Sequence, residues 1–181
     1  MEKKAKSRLT IKHNNVQFKD DDYETPSECL TDLLPFLEPN KIIYDPFYCN
    51  GRVINEWNEL GYECINEKKD AFNREHPTDF DYLISNIPFS CKEKCIELGI
   101  TLDTPFCLLM PIDAMGSKWI GKYFDYLLHT SFYLQLKFQY LIPNGRYNFL
   151  KNGNKGAGAW FDTMWVCYKM NLPETIIKLS T

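Results

Sequence analysis

The sequence predicts an α/β chain, a doubly wound, mostly parallel sheet with an antiparallel edge hairpin. Three observations predict it. Short apolar segments alternate with amphipathic ones through most of the chain, the pattern of strands joined by helical crossovers. The C-terminal part carries two longer apolar segments around a wide Gly/Asn/Lys loop, which reads as a strand pair. No internal repeat and no linker interrupts the series. In such sheets ligands bind outside the carboxyl ends of the strands, where strand order reverses. The residues just after each strand are therefore the ones that matter.

Residues 1–20 lack sustained periodicity and read as a flexible basic arm ahead of a single domain over 21–181. A helix follows in "YETPSECLTDLLPFL". Thr25 suits its cap, Pro26 its first position, and Glu28 stands three after the threonine, as in a capping box. Leu30, Leu33 and Leu34 form an inward face, and Pro35 kinks or ends the helix. "KIIYDPF" is a short buried strand, followed by a turn and by the helix "RVINEWNEL", which Gly61 closes. "YECIN" is the second strand and "DYLIS" the third. "CKEKCIEL" is a short helix, "PFCLLMP" the fourth strand and "SKWIGKYFDYLL" an amphipathic helix. "FYLQLKFQYLIP" and "WFDTMWVCYKM" are the strands that flank the loop "NGRYNFLKNGNKGAGA".

Composition narrows the function classes. The chain has 181 residues, 44% apolar and 25% charged, as in an ordinary globular domain. No stretch approaches the roughly 20 apolar residues of a membrane span. The polar, basic start has no apolar signal core, so an intracellular protein is expected, with no membrane partner. Seven cysteines, at 29, 49, 64, 91, 95, 107 and 167, form no CxxC pair. Reduced, packing thiols and no metal site are expected. Cys91 and Cys95 stand one helical turn apart. The net charge of −3 excludes a uniformly basic nucleic-acid binder. Positive charge is local: Lys3, Lys4, Lys6, Arg8 and Lys12 in the arm, and Arg146, Lys151 and Lys155 around the glycine-rich loop.

Each strand end carries an unusual motif. After the first stands "DPFYCNG", Asp45 to Gly51, a carboxylate followed by a tight turn that lets backbone approach a ligand. Asp45 suits the cationic amino group of an amino-acid-like ligand, or simply begins an Asp-Pro turn. No GxGxxG dinucleotide fingerprint occurs. After the second strand comes "NEKKDAF". Glu67 holds the position that accepts from ribose hydroxyls in doubly wound sheets, and Asp70 suits an adenine amine beside Phe72. The alternative is a solvated charged loop. After the third comes "SNIPFS". The side-chain carbonyl of Asn86 and the main-chain carbonyl of Ile87 offer two neutral acceptors to one planar amine. Such an amine is a poor nucleophile until accepted hydrogens favour a tetrahedral nitrogen, which needs preorganised acceptors rather than a titrating base. Phe89 offers a face for a base that must leave its duplex to be reached.

Taken together, these motifs resemble those of the S-adenosylmethionine-dependent N6-adenine methyltransferases. "DPFYCNG" is similar to that family's cofactor loop, "NIPF" to its D/N-P-P-Y/F catalytic tetrapeptide, and "YETP" to the segment touching the cofactor's carboxylate. "NGRYNF" and "WFDTMWVCYKM" resemble the closing hairpin of small phage and giant-virus type members. The resemblance covers about residues 20–170. It implies a Rossmann-like methyltransferase fold, S-adenosyl-L-methionine as cofactor, no metal, and methyl transfer to the N6 amine of adenine in DNA. It places Asp45, Pro46, Phe47 and Gly51 at the cofactor's methionine end and Tyr23, Thr25 and Pro26 at its carboxylate. Glu67 takes the ribose and Asp70 the adenine. Asn86, Ile87, Pro88 and Phe89 form the target-amine pocket, and Arg146, Lys151 and Lys155 contact phosphates.

Ile87 stands where the family has its first proline. The carbonyl survives, while the fixed φ is lost and an N–H is added. Two further readings therefore stand beside DNA adenine: the same chemistry on RNA adenine or a protein glutamine, and an inert cofactor-binding partner subunit. The chain leaves no room for a separate target-recognition domain. A second subunit for target recognition, or a very short recognised site, is expected.

Overall fold

Mostly apolar runs of three to six residues form the main-sheet strands of the computed structural model, which describes residues 24–121, 123, 138–151, 154–155 and 161–180. In chain order the elements are α1 (Ser27–Thr31), β1 (Ile42–Tyr44), α2 (Arg52–Glu59), β2 (Glu63–Ile65), β3 (Tyr82–Asn86), α3 (Lys92–Leu102), β4 (Phe106–Pro111), β5 (Phe138–Ile142), β6 (Leu150–Lys151), β7 (Asn154–Lys155), β8 (Thr163–Tyr168) and β9 (Ile176–Lys178). The basic arm, Tyr23 and most of the chain between 122 and 137 lie outside the described residues. So does the latter part of "SKWIGKYFDYLL", which is helical at 118–121.

Seven strands form one sheet in the order β2-β1-β3-β4-β8-β5-β9. The pairs β2–β1, β1–β3 and β3–β4 are parallel, and β8 runs antiparallel to both β4 and β5. The antiparallel pair expected of the C-terminal segments is present, but β8 lies within the sheet. The edge beyond it is β9, parallel to β5 and not anticipated from the sequence. A buried amide accounts for that edge. Gln139 on β5 donates to the carbonyls of Leu172 (2.8 Å) and Glu174 (3.0 Å) and accepts from the Leu172 N–H (3.0 Å). This draws the segment after β8 alongside β5. Residues 138–142 keep the strand character expected of "FYLQLKFQYLIP".

β4 and β8 are buried at every residue, as strands covered on both faces must be. Phe106 and Tyr168 stack across them with ring centroids 5.2 Å apart. Trp57 of α2 is fully buried, and Cys95 and Ile96 of α3 join the same core.

Two local expectations fail. The first helix begins at Ser27 with Pro26 as its cap residue, and no side chain caps it. Pro26 is extended (ψ 144°), so Thr25 stands one residue too early to cap. The Thr25 carbonyl instead accepts from Arg52 Nη2 at 2.6 Å. The helix also ends earlier than expected, at Thr31, and Pro35 stands beyond it in a separate 3-10 turn over Leu34–Phe36.

From β1 the chain passes outward to β2 and returns to β3 on the opposite side of β1. The reversal of strand order thus falls between β1 and β3, and the residues at their carboxyl ends are Asp45 and Asn86. No described helix is long and apolar enough to cross a membrane.

Candidate functional site

Asp45 is held from three directions. Its N–H donates to the Ile65 carbonyl (3.0 Å), and its own carbonyl accepts from Asn66 Nδ2 (2.9 Å), which pins the residue between β1 and β2. Its carboxylate Oδ1 accepts from Ser85 Oγ (2.7 Å) and from the Phe47 N–H (3.0 Å). The residue is only 5% exposed. Burial pushes its pKa up to about 7, with the bonds from Ser85 and Phe47 acting in the opposite sense. No cation pairs with it among the described residues. A buried carboxylate without a counter-charge is costly, and this one opens on a cleft.

The cleft measures about 250 Å³, and its lining includes Asp45, Phe47, Gly51, Arg52, Glu56 and Asn86. Its floor is the loop after β1. The Gly51 N–H donates to the Tyr48 carbonyl (3.2 Å), and the Arg52 N–H donates to Asn50 Oδ1 (3.1 Å). Gly51 has φ 77°, and a Cβ there would stand 2.9 Å from the Tyr48 ring. Backbone angle and space therefore both demand glycine at the point where α2 begins. Arg52 lies in the wall but is already neutralised. It pairs with Glu24 (3.4 Å) and Glu56 (3.1 Å), and Ser27 Oγ donates to the same Glu56 carboxylate (3.0 Å). Of the three carboxylates that line the cleft, Glu24 and Glu56 thus have a cation and Asp45 does not.

The loop after β2 is organised differently. Lys69 and Ala71 reach the cleft, whereas Glu67 and Asp70 do not line it. The Glu67 carboxylate is held by Lys69 Nζ (2.8 Å) and by Arg74 Nη2, and these bonds, Lys69's first, lower its pKa. Asp70 accepts from the Phe72 N–H (2.9 Å), a local turn bond. Phe72, 42% exposed, lies against Phe47 with centroids 5.7 Å apart.

The four residues "NIPF" divide. Asn86 and Pro88 line the cleft, opposite the loop that follows Asp45. Ile87 is 3% exposed and belongs to the core, which gives an apolar, branched side chain a physical reason to occupy this place. The Phe89 ring is buried edge-on against Phe149 and Phe161, at 6.4 and 5.3 Å. The stacking face expected of it is thus largely taken up by its own neighbours. Thr25 lines the cleft and Pro26 is the buried cap residue beside it.

Arg146 is exposed and makes two bonds to Asp162, at 2.7 and 3.4 Å, far from a bare cation awaiting phosphate. Lys151 and Lys155 fall on the strands of the small β6–β7 hairpin, their side chains outside the described residues. No three ligating side chains gather into a metal site among the described residues.

Sequence reasoning missed Ser85, Asn66 and the Glu24–Arg52–Glu56 group. Ser85 carried a signal, as a hydroxyl inside the apolar run "YLIS". Arg52 and Glu56 carried another, since charges of opposite sign four apart on a helix are neighbours. The Asn66 and Glu24 contacts are long-range and left no local trace.

No family model matches this chain, and no curated protein matches it. Solved structures do. A protein from Listeria monocytogenes described as a class I S-adenosylmethionine-dependent methyltransferase matches with TM-score 0.50 and 12% identity, over 86% of this chain. A dimethyladenosine transferase from Plasmodium falciparum (TM-score 0.45, 13% identity) covers 81% of this chain and 62% of its own. This chain spans 63% of the Listeria protein's length. With its sheet order and the carboxyl-end cleft, the chain has the Rossmann-like methyltransferase fold.

Proposed function

We propose that this chain binds S-adenosyl-L-methionine in the cleft at Asp45 and transfers its methyl group to the N6 amine of adenine in DNA. The observation that carries the reading is Asp45 itself: a buried carboxylate with no cation among the described residues, at the point of strand reversal, facing the same cleft as Asn86. A ligand bearing an ammonium group would supply the missing counter-charge. The cleft's three carboxylates against two cations leave it a surplus of negative charge, which suits a ligand with ammonium, sulfonium and one carboxylate.

The residues present fit such a ligand. Asp45 would hold the ammonium. Gly51 leaves room for close approach, and Thr25 and Pro26 border the opposite wall. Phe47, Ala71 and Phe72 offer apolar surface towards the end of the cleft nearest β2, with Glu67 and Asp70 beyond. When bound, the cofactor supplies an electrophilic methyl group on sulfur. The chain's own part is to prepare the amine. The Asn86 side-chain carbonyl and the Ile87 main-chain carbonyl accept its two hydrogens, which draws the nitrogen towards tetrahedral geometry and frees its lone pair. The hydrogen bonds then stabilise the positive charge that appears on that nitrogen, and solvent takes the proton.

Calorimetry with S-adenosylmethionine, followed by mass spectrometry of nucleosides after incubation with DNA and RNA in parallel, tests the reading. Binding and N6-methyladenine in DNA are expected. Binding with product only in RNA moves the substrate. Binding without any methylated nucleoside leaves a cofactor-binding subunit. No binding ends the proposal.

A further inference from the structure

A second cleft, of about 410 Å³, lies at the start of α3, lined by Phe89, Ser90, Cys91, Lys92, Glu93, Lys94 and Trp119. It contains one thiol with another directly behind it. Cys91 is half-buried at the mouth of α3, and its Sγ lies 3.8 Å from that of Cys95, which is 1% exposed. We propose that Cys91 and Cys95 form an oxidisable dithiol, with Cys91 the sulfur attacked by a small hydroperoxide and Cys95 the one that resolves it.

Three features of the site support this. Cys91 is the residue before the first turn of α3 and is not helical (φ −129°, ψ 31°), so its sulfur is not bound to helical geometry. Lys92 and Lys94, with the helix N-terminus, outweigh Glu93 in charge around the cleft, the electropositive setting that reactive thiols share. Residues one turn apart are also close enough for a bridge, since disulfides span Cα separations of roughly 4.4–6.8 Å. The other close pair is a contrast. Cys107 and Cys167 are nearer, 3.4 Å, but both are fully buried on paired central strands, out of reach of any oxidant.

The chemistry balances. The Cys91 sulfur attacks one peroxide oxygen, the O–O bond breaks, and a sulfenic acid and one water form. The Cys95 sulfur then attacks the Cys91 sulfur, the S–O bond breaks, and the departing hydroxide takes the Cys95 proton as a second water. Two thiols lose two electrons and the peroxide gains them. Cys91 also anchors the turn beside the candidate site: its N–H donates to the Pro88 carbonyl (3.1 Å) and its thiol lies 3.5 Å from the same oxygen. Oxidation removes that thiol donor. A consequence for methyl transfer rests on the function proposed above, whereas the modification itself does not.

The test treats the full chain with hydrogen peroxide, blocks remaining thiols and digests with trypsin. Cleavage after Lys92 and Lys94 separates the two cysteines, so a bridge appears as a linked peptide pair. That pair, reversed by dithiothreitol, is the expected main product. In Cys95→Ser, or Cys95→Ala should the serine variant not fold, Cys91 should instead be trapped by dimedone as a sulfenic acid. Unchanged alkylation of Cys91 after peroxide, or oxidation mainly at Cys49 or at the Cys107–Cys167 pair, would overturn the assignment.

Discussion

The two ends of the cleft are built on different principles. At the β1–β3 end, polar atoms are buried at strand termini, and the sheet itself holds them. Asp45 cannot move without breaking bonds to Ile65, Asn66, Ser85 and Phe47. At the β2 end, Lys69 of the lining pairs on a loop with Glu67, whose side chain is 43% exposed, and Glu67 pairs in turn with the sheltered Arg74 behind it. An exposed pair such as Lys69–Glu67 is held loosely and contributes little. The lesson is that charge at a strand end is placed by long-range pairing, while charge on a loop is free to answer its neighbours. The first end should therefore be sensitive to substitution and the second tolerant.

The largest expected effect is at Asn86. Asn86→Ala should lower methyl transfer about 10²–10³-fold, the usual cost of losing one preorganised group at a transition state. Cofactor affinity measured by calorimetry should remain nearly unchanged. Equal losses in both would make Asn86 a binding residue and blur the proposed division of labour.

Next is the pH response of Asp45. A carboxyl with a folded pKa of about 7 binds its proton more tightly when folded than when unfolded. Its contribution to stability is therefore greatest in acid and is lost as pH rises from the ordinary carboxylate range to about 7. Asp45→Asn keeps acceptors for Ser85 and Phe47 but cannot ionise. It should gain thermal stability over the wild type at pH 8 and show little difference at pH 4, read by melting temperature. Cofactor affinity should run the other way. It should fall up to about tenfold per unit below pH 7 in the wild type, and be weak and flat in the variant. A wild-type affinity that does not vary with pH would separate Asp45 from the ammonium.

A smaller change is expected at the cradle. Gly51→Ala sets a side chain at positive φ and 2.9 Å from the Tyr48 ring, which should cost on the order of 1–3 kcal/mol in denaturant unfolding. The smallest concerns the tolerant end. Lys69→Ala breaks the exposed pair with Glu67 and should change stability by less than about 1 kcal/mol, with a modest loss of affinity. A loss as large as that of the Asp45 variant would show the two ends to be equally demanding.

Much of this was legible in advance. The alternation of apolar runs identified β1 to β4, α2 and α3, and Gly61 marked the end of α2 correctly. The prominence of Asp45, Gly51 and Asn86 followed from their places after strands. What was not legible depended on contacts across the fold. "TIIK" at 175–178 is too short to announce a strand, and only Gln139, more than thirty residues away, explains why β9 forms there. Phe89 read as a free aromatic face because its neighbours Phe149 and Phe161 arrive from the far end of the chain. Thr25 read as a cap because nothing nearby in sequence revealed that Arg52 would take its carbonyl.

The order of residues by itself determined the kind of sheet and the strand ends at which polar groups would collect, because both follow from local periodicity and from turn chemistry. Only the tertiary structure decided which of those groups would face a common space and which would be spent on one another. Burial without a counter-charge is a property of the whole fold. Asp45 acquires it because β1, β2 and β3 close around the residue while Arg52 and Lys69, the cations among the described residues of the cleft, are already engaged with glutamates.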